Sequence, residues 1–132
     1  MVNEIEKKVM EFNMLEMKLN ELGQQKELIE KQINEFKSLQ FSLDKLEDIK
    51  KQTEMFSLIG QDTFIVSDLK ENDKVLVNIG SKIFVMKNLE DAKETIGKKI
   101  VQIEEINDNL NQTAEKILEK LNQIGQEIKT LS

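Results

Sequence analysis

The stretch FSLIGQDTFIV, residues 56–66, is followed at residues 76–86 by LVNIGSKIFVM. The two stretches repeat one pattern at an offset of twenty residues, so that Gly60 aligns with Gly80 and Phe64 with Phe84. In each copy a short apolar run meets a glycine in a polar turn, and a second run rich in Phe, Ile and Val follows, which is typical of a β-hairpin. We therefore predict two β-hairpins within residues 56–87.

The sequence after this repeat has the spacing of a long helix. Residues 88–131 are predicted to be helical, with Asn88 as a possible N-cap. One apolar column recurs every seven residues without a break, and a second column flanks it. The columns are Leu89, Ile96, Ile103, Leu110, Ile117, Ile124 and Leu131, flanked by Ile100, Ala114, Leu121 and Ile128. Six consecutive heptad intervals predict a coiled coil.

The sequence before the repeat predicts a helix of similar length, over residues 3–52, with Asn3 as a possible N-cap. Its apolar residues also start in heptad spacing, interrupted by Lys26, and we expect the stripe to shift beyond Phe36 to Leu39, Leu46 and Ile49. The columns are Ile5, Phe12, Leu19 and Ile33 beside Leu15, Leu22, Ile29, Phe36 and Leu43. The predicted fold is a single domain over residues 1–132, mainly α with small β. It is a long antiparallel coiled-coil hairpin with two β-hairpins at the connection between the helices.

The composition argues against several classes of function. The chain has a net charge of −6, all its cations are Lys, and it contains no Cys and no His. It therefore lacks the usual general base, the commonest metal ligand, and both disulfides and thiolate chemistry. An acidic chain is a poor nucleic-acid scaffold, and no apolar run approaches the ~18 residues that span a bilayer. We predict no enzymatic activity, no cofactor, no metal, no nucleic-acid or membrane partner, and a cytoplasmic location.

The predicted strands are more apolar than a sheet with one wet face requires. A two-stranded hairpin is marginally stable in water, and its open edges favour pairing with another chain. We expect the hairpins to form a subunit interface rather than to pack only beneath the helices. The predicted interface residues are Leu58, Ile59, Phe64, Ile65, Val66, Val75, Val77, Ile79, Ile83, Phe84 and Val85.

A second apolar surface is predicted where the first helix begins and the second ends. Met10, Met14 and Met17 are spaced to lie on a helix face away from the heptad columns. Methionine-rich surfaces suit promiscuous binding, although the same residues would also suit packing on a neighbouring subunit. The predicted binding tip comprises Val2, Ile5, Val9, Met10, Phe12, Met14, Leu15, Met17, Leu121, Ile124, Ile128 and Leu131.

Several local motifs carry a family resemblance. They are SLIG at 57–60, FIV at 64–66, DKVLVNIG at 73–80, Val85, and NLEDA at 88–92. Together with the order long helix, two β-hairpins, long helix, these motifs resemble the alpha-class subunits of prefoldin, whereas the beta class has a single hairpin. The resemblance covers essentially the whole chain.

The resemblance implies that the hairpins of several subunits form an oligomeric β-barrel platform from which paired helices extend. It implies an ATP-independent holdase that binds non-native polypeptides at the coiled-coil tips and delivers them to a group II chaperonin. The implied assembly is a hexamer of two alpha and four beta-type subunits. The family often has Pro where this chain has Leu58, and residues 83–86 are unusually apolar. These departures leave open self-assembly into filaments like those of the gamma-type relative. A purely structural coiled-coil tether is the remaining alternative.

Overall fold

The computed structural model describes residues 3–132 and contains two helices and four strands in the predicted order. The helices have 43 residues each. The strands form two separate antiparallel sheets of two strands, so the described chain contains no closed barrel. The elements are α1 (Glu4–Leu46), β1 (Glu54–Gly60), β2 (Thr63–Asp68), β3 (Lys74–Gly80), β4 (Ile83–Asn88) and α2 (Leu89–Leu131). The predicted fold class is confirmed.

Asparagine caps start both helices. The backbone N–H of Glu6 donates to Asn3 Oδ1 at 2.8 Å, and the N–H of Asp91 donates to Asn88 Oδ1 at 2.8 Å. Acidic residues fill the first turn of each helix, where the positive end of the helix dipole favours them. Both predicted caps are thus confirmed.

The first helix ends earlier than its apolar spacing predicts. We expected helix to Gln52, but α1 stops at Leu46. The following residues form turns, and Gln52 has a φ of 68°. The N–H of Gln52 donates to the carbonyl of Leu69 at 2.5 Å, and the Asn72 side-chain amide donates to the carbonyl of Ile49 at 2.9 Å. The segment between the two sheets therefore binds backbone groups that a continued helix would have used.

The chain divides into two compact units. The hairpin unit, residues 35–100, has a core formed by Leu43, Leu89, Ala92, Ile96 and Ile100, against which Phe36, Leu46, Val75 and Val77 pack. The stripe does not shift to Leu39, which is exposed; Gln40 is partly buried in its place. The Gln40 side chain lies beside Gly97, with its Nε2 3.9 Å from where a Gly97 Cβ would stand.

The helical unit comprises the described residues up to Asn34 together with Val101–Ser132. Its buried apolar residues are Ile33, Ile117, Leu121 and Ile124. The remaining members of the predicted columns in this unit are partly buried, except Leu131 at the end of α2, which is exposed. One polar residue, Asn107, stands in the flanking column, and its buried Oδ1 has no hydrogen-bond partner, which lowers stability at this level.

Candidate functional site

The hairpins carry a large exposed apolar surface. Nine of the predicted interface residues are exposed: Leu58, Ile59, Phe64, Ile65, Val66, Ile79, Ile83, Phe84 and Val85. Val75 and Val77 are partly buried because they pack on the core of their own unit. Sequence reasoning missed Phe56, Leu76 and Met86, which are also exposed. Their alternation with the inward residues of the same strands was the signal that could have identified them.

The two faces of the first hairpin differ in chemistry. Phe56 pairs with Val66, and Leu58 pairs with Phe64, so these four side chains share one face. The other face is mixed: it carries Met55 and Ile65 together with Ser57 and Ser67, whose hydroxyls are joined by a hydrogen bond of 2.7 Å. The first face is therefore the wholly apolar one of the two, and it lies open along its length. Such a face favours contact with another apolar surface.

The second hairpin lines an apolar cleft of about 750 Å³ within the hairpin unit. The cleft holds one cation, Lys99, whose Nζ lies 5.7 Å from the centroid of the Phe36 ring. Its lining residues are Phe36, Leu39, Leu43, Val75, Leu76, Val77, Asn78, Ile79, Gly80, Ala92, Ile96 and Lys99. With a single titratable group, this lining offers apolar contact and no acid–base pair.

The predicted methionine face on α1 lies exposed in the helical unit. Met10, Met14 and Met17 are 59%, 69% and 66% accessible, and Val9 beside them is also exposed. Sequence reasoning missed Leu28, which is also exposed. It lies on the same face as Met10 because the two residues are eighteen apart, which is five helical turns.

The other residues of the predicted tip are less accessible. Ile5, Phe12, Leu15 and Ile128 are partly buried, Leu131 is exposed, and Val2 lies outside the described residues. Leu121 and Ile124 are 8% and 3% accessible. These two residues pack between the helices and offer no open binding surface in this structure.

An ion pair joins the two helices at the tip. Lys8 Nζ donates a hydrogen bond to Glu127 Oε2 at 2.5 Å. This hydrogen bond is the main reason that the pKa of Glu127 falls below its ordinary value of 4.5 and that the pKa of Lys8 rises above 10.5, while partial desolvation opposes both shifts. A second pair, Lys120 with Glu11 at 3.5 Å, also connects the helices.

Other kinds of site find no support in the part of the chain that the structure describes. Residues 3–132 contain no group of three or more acidic, Cys or His side chains placed to hold a metal ion. Neither of the two helices is long and apolar enough to cross a membrane.

Comparison with known proteins points to one family. A family model described as "Prefoldin subunit" matches residues 2–132. A prefoldin subunit alpha of Methanobrevibacter smithii is 36% identical over 128 residues, which cover 92% of this chain and 82% of the relative. A prefoldin subunit alpha of Archaeoglobus fulgidus is 28% identical over 127 residues, covering 95% and 91%.

A solved structure shares the fold. The cryo-EM structure of filamentous PFD from Methanocaldococcus jannaschii, a prefoldin, superposes with a TM-score of 0.77 at 16% identity. The match covers 87% of this chain and 95% of that one. At this identity the likeness concerns the fold alone.

Proposed function

This chain belongs to the prefoldin family, a family of chaperones and not of enzymes, and we propose that it acts as an ATP-independent holdase. The observation that carries the proposal is the exposed methionine face on α1. Three long apolar side chains lie on one helix face, at 59–69% exposure, without contributing to the core of their unit. Persistent apolar surface of this kind usually marks a contact site.

We propose that the methionine face binds non-native polypeptides. Unfolded chains present scattered apolar side chains without fixed geometry, and the flexible, polarizable methionine side chain adapts to them. Each contact is weak, but several subunits acting together raise the effective concentration of binding surfaces. A client can then be held without ATP and released by dissociation.

The hairpins supply the means of assembly in this proposal. Prefoldin alpha subunits assemble into oligomeric complexes. The exposed faces and free edges of the two sheets would close against the hairpins of other subunits in a β-barrel platform. The proposed complex contains two alpha and four beta-type subunits, works in the cytoplasm, and passes its clients to a group II chaperonin.

Self-assembly is the second candidate. The apolar strand β4 and the cleft beside β3 give one chain both an exposed apolar strand and an apolar recess. A head-to-tail contact of unlike surfaces produces rings or filaments. A purely structural tether is less well supported, because a tether needs no exposed methionine face.

The experiment replaces Met10, Met14 and Met17 with Ser and measures suppression of aggregation of a denatured test protein. The matched control replaces three exposed apolar residues of α2, Val101, Ile106 and Leu118, with Ser. We expect the methionine variant to lose most of its protection at equal oligomer concentration, while the control retains at least half. Equal losses in the two variants, or none in either, would contradict client binding at the methionine face.

A further inference from the structure

The tip contains covered apolar residues in addition to the exposed methionine face. Leu121 and Ile124 on α2 are buried, and Phe12 on α1 is partly buried with them in the helical unit. Like the residues of an open binding surface, they have large apolar side chains. Only their burial between the helices keeps them from contact with another chain.

The Lys8–Glu127 ion pair bridges the helices beside these residues. Its side chains are 24% and 39% exposed, so it is better covered than the pair of Lys120 with Glu11, whose side chains are 58% and 48% exposed. Glu127 Oε1 also accepts a hydrogen bond from Gln123 Nε2 at 3.4 Å. The carboxylate is thereby tied to Gln123 and Lys8, and Ile124 lies within the helical turn that Gln123 and Glu127 bracket.

The helix at this point has little local support of its own. Gly125 follows Ile124 directly, and glycine lowers helix stability in comparison with alanine. Phe12 on α1 packs beside this glycine, with its Cε2 3.8 Å from where a Gly125 Cβ would stand, which is an ordinary contact distance. The last turns of α2 therefore depend on contacts with α1 more than on helix propensity.

We propose that the Lys8–Glu127 ion pair is a latch over a second, covered binding surface formed by Phe12, Leu121 and Ile124. When the pair breaks, the helix ends separate locally, and these residues join the methionine face in binding apolar segments of non-native chains. The binding of non-native chains by these residues rests on the proposed function, whereas the effect of the ion pair on the helix ends does not. The latch itself is a property of the free chain.

The size of the effect follows from the exposure of the pair. Helix ends open at low free energy, so a small change in one contact alters the open fraction measurably. Partly exposed ion pairs shift such an equilibrium by up to about fivefold, and salt screens them. An ion pair of this strength changes the fraction of molecules whose helix ends are separated, but it does not hold the ends together in every molecule.

The experiment is a double-mutant cycle with Lys8→Met and Glu127→Gln, which remove charge and keep most of the side-chain volume. Amide hydrogen exchange of residues 117–128 is measured in the full-length assembled protein, together with suppression of aggregation. The matched control cycle uses Glu11→Gln and Lys120→Met, the more exposed pair.

If the latch exists, either single change speeds exchange of this segment by about 2- to 5-fold, and the double variant adds little more. Suppression of aggregation rises in parallel. Addition of 1 M salt speeds exchange in the wild type and not in the double variant. The control cycle changes exchange of this segment by less than about 1.5-fold.

Three outcomes overturn the inference: unchanged exchange, effects of the two changes that simply add, or faster exchange without a rise in suppression. The first two refute the latch and the third refutes the covered surface. None of them depends on the methionine variant, so failure of the latch and failure of the proposed function are separable. Far-UV circular dichroism of each variant checks that the helices remain formed.

Discussion

The two hairpins have the same strand register at an offset of twenty residues, yet they are held in different ways. The second packs Val75 and Val77 on the core of its unit, and β4 leads directly into α2. The first carries Met55 and Ser57 at the corresponding positions, and the Ser57 hydroxyl shares a hydrogen bond with that of Ser67. One repeated pattern thus provides one anchored hairpin and one with a mixed inner face and an open apolar outer face.

Equivalent positions in the two hairpins give the strongest test of this difference. Val77→Asp places a carboxylate against the core of the hairpin unit, and we expect it to lower the free energy of unfolding by about 2–4 kcal/mol. Ser57→Asp disrupts one hydrogen bond with Ser67 and should cost roughly 1 kcal/mol. Urea unfolding followed by circular dichroism compares the two. Equal costs would mean that the first hairpin is anchored as firmly as the second.

Assembly should depend on the outer faces of both hairpins. Phe64→Lys and Phe84→Lys each place a charge on an exposed apolar face, and each should weaken association by about tenfold or more if these aromatic residues are interface anchors. The free energy of unfolding of the dissociated chain should change by less than about 0.5 kcal/mol. Native mass spectrometry across a dilution series measures the first effect. An unchanged mass in both variants would restrict the hairpins to intramolecular contacts.

The turns of the hairpins differ in backbone strain. Gly80 has a φ of 126°, where a side chain is strained, whereas Gly60 has no φ in that region. Gly80→Ala should therefore cost about 1–2 kcal/mol, and Gly60→Ala less than about half as much. Nothing lies within 4 Å of a Cβ at either position, so steric clashes do not contribute to the difference between the two costs. The readout is the shift of the thermal midpoint, and similar shifts would contradict the assignment of strain to the second turn.

The second turn can also be improved. Ser81 and Lys82 have φ values of 51° and 60°, which Asn and Gly adopt at lower cost. Ser81→Asn with Lys82→Gly should stabilise the second hairpin by about 0.5–1 kcal/mol. Gln61→Asn with Asp62→Gly in the first turn should add less stability, because only Asp62 has a positive φ there. Differential scanning calorimetry of the two variants tests this order.

The smallest effect concerns the entry into α2 beside the second hairpin. Lys93 donates a hydrogen bond to Glu47, which raises the lysine pKa above 10.5. A raised folded-state pKa means that the stabilisation is complete below pH 10.5 and is lost as pH rises through the folded value. The loss of thermal stability caused by Lys93→Met should therefore shrink between pH 9 and pH 11.5. The Lys51→Met control, in the exposed pair with Glu71, should cause the smaller loss at pH 9.

Much of this fold could be predicted from local pattern. The unbroken column in α2 specified a buried seam, and the repeated glycine in a polar turn specified both hairpins to within two residues. The end of α1 could not be predicted, because Ile49 continues the apolar spacing while tertiary hydrogen bonds from the segment between the sheets hold the turn. Gln40 was missed because apolar spacing gives no signal for a polar residue that becomes partly buried.

The candidate surfaces were less predictable. Methionines off the seam were correctly expected on an outer face, since helical geometry alone decides that. Whether Leu121 and Ile124 would be open or covered depends on how far the helix ends stay together. Contacts that join the helix ends, such as Lys8 with Glu127, connect residues 119 apart in the sequence, so local spacing does not reveal them.

The order of elements along the chain has a consequence for its synthesis. The hairpins leave the ribosome before α2, whose 43 residues carry Leu89, Ala92, Ile96 and Ile100 of the core on which Val75 and Val77 pack. At about 5–20 residues per second, that interval lasts roughly 2–9 s. During it the core of the hairpin unit has only its α1 residues Phe36, Leu43 and Leu46, and the outer faces of the strands are exposed, so nascent chains on one polysome can meet through them. Speed of translation through α2 is therefore expected to influence the yield of correctly assembled protein.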